Sequence, residues 1–148
     1  MSRYQHSGRT DQAKAGVKRL HDALRLQNEE RWRGAMYLAG YSIECKLKAR
    51  LMEMYGINTL QDLEAELERR IGGTPNVFSH SIEVLFGLTG VRDRLLKDPK
   101  RPTALRSYHR CNTWKPAWRY DPSDGSRDEC ASFLAAVEEF GQFIDGNV

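Results

Sequence analysis

Apolar residues recur at intervals of three and four along most of the chain, and no stretch of four to eight residues alternates convincingly. The pattern predicts helices and no strand. Ala13, Val17, Leu20 and Leu24 form the first stripe behind a cap at Thr10 or Asp11, and "RLQNEE" ends that helix near Asn28. The strongest pattern covers about residues 29–55. There Trp32, Ala35, Met36, Ala39, Ile43, Leu47, Leu51 and Met54 keep the rhythm, and Tyr37, Gly40 and Tyr41 widen the apolar side. Gly34, Ala35, Ala39 and Gly40 are small enough to admit a closely packed neighbour, and Gly56 is placed to end the helix in a left-handed turn.

Thr59 then caps "LQDLEAELERR", whose stripe is Leu60, Leu63 and Leu67, and "GGTPN" breaks the chain. Ser79 is expected to cap "HSIEVLFGLTG", with Ile82, Leu85 and Phe86 inward and Gly90 as the stop. "VRDRLLKDPKRP" gives a short helix or turn ending at Pro99, and Pro102 opens another through about Tyr108. "TWKPAWRYDPSDGS" reads as a loop. Ser126 caps the last helix, striped by Cys130, Phe133, Leu134, Val137 and Phe140. The expectation is a single all-α domain over residues 1–148 with residues 1–9 as a flexible tail. Its architecture would be a four- to five-helix up-and-down bundle with a helical insertion between helices 2 and 4.

Composition narrows the setting. The chain has 148 residues, 40% hydrophobic and 29% charged, which is the balance of an ordinary globular domain. Cys45, Cys111 and Cys130 are few, odd in number and widely spaced, so reduced thiols in a reducing cytoplasm are expected, with no metal site, disulfide framework or cofactor. The polar opening "MSRYQHSGRTDQAKAG" lacks an apolar signal core, and no uncharged run is long enough to span a bilayer. The sequence therefore predicts a soluble cytoplasmic protein without membrane contact. P-loop, dinucleotide-binding, zincin, α/β-hydrolase and EF-hand signatures are all missing.

Net charge is only +3, but its distribution is uneven. Residues 99–120 carry six basic side chains and no acidic one; residues 121–148 carry one basic and seven acidic. Arg101, Arg106, Arg110, Lys115 and Trp114 in the basic segment are candidates for nucleic-acid binding, since interleaved cations and rings can hold phosphates and stack bases. Trp114 and Trp118 can equally be loop anchors packed on the bundle.

"GAMYLAGYSIECKLKARL" sets Glu44 and Lys48 one helical turn apart within an apolar surround. Two readings stay open: an i,i+4 pair on a solvated face, or a buried pair needing a cationic partner such as Arg119 or His80.

This stretch resembles the signature helix of HEPN domains (higher eukaryotes and prokaryotes nucleotide-binding), through Tyr37, Ala39, Tyr41, Glu44, Leu47, Lys48 and Ala49. "SHSIEVLF" is similar to the family's H-x-L-x-x-L segment, with His80 as its histidine, and "WRYDP" to the Arg-Tyr before the last helix, here Arg119 and Tyr120. The likeness covers about residues 10–145. It implies a bundle of HEPN type that forms a homodimer. It also implies an association with RNA or nucleotides in prokaryotic defence or toxin–antitoxin systems, often beside a nucleotidyltransferase-type partner. Active members are metal-independent ribonucleases with an R-x(4–6)-H motif. No histidine here has an arginine at that spacing; the nearest substitute is Arg106 and His109, three apart and on one helical face. A variant catalytic site at Arg106 and His109, or a merely solvated basic turn, are the two readings of "RSYHR". Glu44, Lys48, His80, Arg119 and Tyr120 are expected to form a structural polar network, with Arg119–Tyr120 clamping the loop to Glu44. The alternative function is a catalytically inactive module that binds a partner protein such as a nucleotidyltransferase.

Overall fold

A computed structural model describes residues 8–73 and 75–148, and among these the chain is all-helical. Seven α-helices follow in order: α1 (Arg9–Asn28), α2 (Trp32–Met54), α3 (Leu60–Ile71), α4 (Ile82–Leu88), α5 (Val91–Leu96), α6 (Pro102–Cys111) and α7 (Arg127–Asn147), with a 3-10 turn at Pro116–Tyr120 before the last. The three short helices within residues 82–111 fall where the sequence placed a helix after the GGTPN break, a short helix or turn, and a helix opened by Pro102. Gly90, at φ 75°, separates α4 from α5, and the proline-bearing stretch 98–101 separates α5 from α6.

α2 is the axis of the bundle. It packs against α1, α3, α4, α7 and the 3-10 turn, and its buried residues run nearly all round it from Ala35 to Met52. α1 folds back on α2 as a helical hairpin through the short turn at residues 29–31. The buried line of α1 is not the expected one: Gly16 and Ala23 are buried, Leu20 and Leu24 are half-buried, and Val17 is exposed. The cause is close approach. A Cβ on Gly16 would lie 3.2 Å from the Ser42 carbonyl oxygen, so the small residues, not the larger apolar ones, mark the contact. On the far side of α2, Phe86 of α4, Tyr108 of α6 and Phe140 of α7 meet edge-on or tilted with ring centres 5.0–5.5 Å apart.

Most ends follow local chemistry. Thr59 and Ser126 accept hydrogen bonds from Asp62 N and Glu129 N at 3.2 and 3.1 Å. Gly56, at φ 66°, follows α2 as expected. Four boundaries differ, α6 among them, which runs on to Cys111 rather than ending near Tyr108. α1 starts at Arg9 with Gly8 as its cap, not Thr10 or Asp11, because Gly8 and Arg9 are held against residues 58–59, with Arg9 N donating to Asn58 O at 3.0 Å. Residues 8–9 are thus part of the fold; the rest of the expected tail, 1–7, lies outside the described residues. α2 starts at Trp32 rather than near 29. α4 is capped by Ser81, not Ser79: Ser79 Oγ accepts from Ser81 N at 2.9 Å, and Ser81 Oγ accepts from Val84 N at 3.3 Å. His80 therefore sits in the turn before α4, where its ring is free to point at α2. Among the described residues no helix is long and apolar enough to cross a membrane.

Candidate functional site

The carboxylate of Glu44 lies at the centre of a small charged chain beneath the surface of α2. Its side chain is 2% exposed and that of Lys48 8%, with Lys48 Nζ 3.3 Å from Glu44 Oε1. The solvated-face reading of this pair is thereby excluded. His80 completes the chain: its Nδ1 hydrogen-bonds the same Oε1, while its side chain is 61% exposed. A buried carboxylate would be costly alone, and the ammonium one turn away offsets that cost. Lys46, between them in sequence, faces the other way and pairs with Asp145 of α7 at 2.9 Å.

The exposed edge of His80 opens on a cleft of about 490 Å³. Arg19 of α1 and Arg119 of the 3-10 turn lie on its walls together with the rings of Tyr37, Tyr41, Trp114 and Tyr120, and among the described residues no carboxylate lines it. Burial, then the neighbouring Cys45 and Glu44, push the Tyr41 phenol up to about 12, so it stays a hydroxyl donor. The Arg19 Nε approaches Asp22 at 3.3 Å without making a hydrogen bond. Trp114 fixes one wall. Its indole is 6% exposed, its Nε1 donates to the Tyr37 carbonyl at 3.0 Å, and it rests on Gly40, where any Cβ would overlap the ring.

A second cleft, about 630 Å³, adjoins α6. Ser107, Tyr108 and Cys111 turn inward on this helix, with Ser107 Oγ donating to Glu139 of α7 at 2.5 Å, and so Arg106, His109 and Arg110 turn outward. These three share the cleft with Trp118, Phe133 and Glu129. Trp118 packs edge-on against Phe133, with the Arg33 guanidinium 5.1 Å over its ring. Segment 113–120 contributes to both clefts, Thr113 and Trp118 to this one and Trp114, Pro116, Arg119 and Tyr120 to the other.

The residues singled out from sequence are therefore divided. Arg106 and His109 do share a cleft, with Arg110. Arg101 stands apart, 3.6 Å from Asp98 and over the Phe143 ring. Lys115 is exposed and lines neither cleft, and Trp114 is a buried anchor rather than a free stacking surface. Glu44, Lys48 and His80 join in one network, but the expected Glu44–Arg119 clamp does not form; the Arg119 guanidinium lies 5.9 Å over the Tyr120 ring instead. Both residues line the His80 cleft instead. Arg19 was absent from the sequence-based set. It sits on the polar side of an amphipathic helix, and nothing local distinguishes it from Lys18 or Arg25. Cys45, Cys111 and Cys130 are all buried and free, and burial pushes the thiols of Cys45 and Cys111 up to about 12. No group of His, Cys, Asp and Glu side chains suited to a metal ion occurs among the described residues. No protein-family model, curated protein or solved structure shows significant similarity to this chain.

Proposed function

We propose that this chain is a HEPN-like protein that binds RNA or a ribonucleotide and, as a homodimer, acts as a metal-independent ribonuclease in prokaryotic defence or toxin–antitoxin biology. One observation carries the binding reading. Besides the buried anchor Trp114, the His80 cleft collects two guanidiniums and three tyrosine rings with no carboxylate among its described lining residues, which suits a phosphate joined to a stacked base. Arg106 and Arg110 lie on the neighbouring cleft, so a single strand crossing segment 113–120 would meet cations on both sides. The resemblance of "AMYLAGYSIECKLKARL" to the HEPN signature helix supports the family and its dimeric habit.

Fluorescence anisotropy with a labelled single-stranded RNA tests this reading. Arg119→Ala and the pair Arg106→Glu and Arg110→Glu should each weaken binding, and affinity unchanged by all of them would remove it. The other reading, a partner-binding module, rests on the missing R-x(4–6)-H spacing and on the acidic chain end, where residues 121–148 carry seven acidic and one basic side chain. Such a face fits a basic patch on a nucleotidyltransferase-type protein.

A further inference from the structure

The histidine that the sequence points to for catalysis, His109, has no carboxylate hydrogen-bonded to its ring among the described residues; the Tyr108 ring lies 5.3 Å away. His80 is built differently. Its Nδ1 is engaged by a carboxylate that is itself buried, and its Nε2 makes no hydrogen bond to any described residue. The Lys48 ammonium lies 3.3 Å from the same carboxylate oxygen and gives Glu44 a buried counter-charge. With Nδ1 held by the carboxylate, Nε2 is the ring nitrogen left to meet a substrate. The ring lines the same cleft as Arg19 and Arg119. A base, its orienting carboxylate and cations for an anionic centre are thus grouped in one place.

We propose that His80 is the proton-transferring catalytic residue of an RNA-cleaving site in this cleft, with Glu44 as its positioning residue and Arg19 and Arg119 as the cations that meet the phosphate. The proposal rests on the RNA-binding reading above and moves the chemistry from His109 to His80. His80 Nε2 takes the proton of a ribose 2′-hydroxyl as that oxygen bonds to the adjacent phosphorus. The bond from phosphorus to the 5′-oxygen breaks, and the leaving oxygen receives the proton back from the imidazolium through water. The products are a 2′,3′-cyclic phosphate and a 5′-hydroxyl end, and His80 returns to its neutral form. The guanidiniums stabilise the charge gathered on the phosphorus oxygens in the transition state.

The test uses the full chain, a labelled single-stranded RNA and EDTA. Binding and cleavage are measured separately, and an all-DNA strand of the same sequence serves as a control without the nucleophile. The native protein is expected to bind both strands and cut only the RNA. His80→Ala is expected to keep its RNA affinity and lose about 100-fold or more in cleavage rate. Added imidazole should restore part of that rate, which it could not do for a residue of structural role only. His109→Ala should lose far less cleavage rate than His80→Ala. Because Glu44→Gln alone leaves Lys48 buried without a counter-charge, it is paired with Lys48→Met. That double variant should lower kcat with little change in KM. RNA bound but left intact by the native protein, or cut equally fast by His80→Ala, would overturn the assignment and leave the binding reading in place. Failure to bind RNA at all would overturn both.

Discussion

The two clefts flanking segment 113–120 both offer a histidine and arginines, yet they differ in what stands behind the histidine. Behind His80 lies a buried carboxylate with its own buried counter-ion. His109 sits on the outer face of a short helix, and among the described residues the one carboxylate lining its cleft, Glu129, is half-exposed. Exposed charges in high dielectric hold one another weakly and in several geometries, whereas a carboxylate 2% exposed can hold a ring in one orientation. A histidine's chemistry is governed by the group behind its ring, and only one of these clefts supplies such a group.

Removing the support of the first cleft should have the largest effect. Gly40→Ala places a methyl group inside the Trp114 indole and expels it from its seat. A loss of about 3–5 kcal/mol, the range for losing a buried tryptophan, is expected in urea unfolding, with a red-shifted tryptophan emission. The corresponding change beside the second cleft, Thr113→Ala, removes one exposed hydroxyl bonded to the Arg110 carbonyl and should stay within about 0.5 kcal/mol.

A smaller effect separates the buried pair from the clamp suggested by sequence. A double-mutant cycle on Glu44 and Lys48 is expected to show a coupling of about 1–3 kcal/mol, while the cycle on Glu44 and Arg119 should be additive within about 0.5 kcal/mol. Substantial coupling to Arg119 would merge the two walls into one network and dissolve the contrast.

RNA binding gives a subtler comparison. Arg119→Ala should reduce the slope of log affinity against log salt by about 1, as expected for one lost phosphate contact, and Lys97→Ala, at a residue exposed after α5 and lining neither cleft, should leave it unaltered. The smallest signal concerns the α1–α2 contact beside the first cleft. Cys45 is buried there opposite Gly16 with its thiol pushed up to about 12, so iodoacetamide at mildly alkaline pH should leave it unmodified in the native protein and alkylate it in urea. Rapid native labelling would mean that this contact opens, and with it the α1 wall that carries Arg19.

Local features carried the helices into view. Thr59, Ser126 and Gly56 act within one turn of the chain, and the spacing of Phe133, Val137 and Phe140 fixes the inner face of α7 whatever it packs against. The one stripe misjudged, on α1, failed because Gly16 and Ala23 are selected by closeness of approach, a property of the helix opposite. The α4 cap at Ser81 rather than Ser79 had a local cause instead: two serines two residues apart, each able to accept a backbone bond.

What the sequence determined by itself, then, is a helical chain with a pair of opposite charges one turn apart in an apolar surround, because helix periodicity and capping are short-range. Only the tertiary structure decided that the pair is buried, that His80 rather than Arg119 meets it, and that Arg19 and Arg119 share its cleft. These contacts join residues 36 to 100 positions apart, and their partners are chosen by where α1, α2 and the 3-10 turn come to rest.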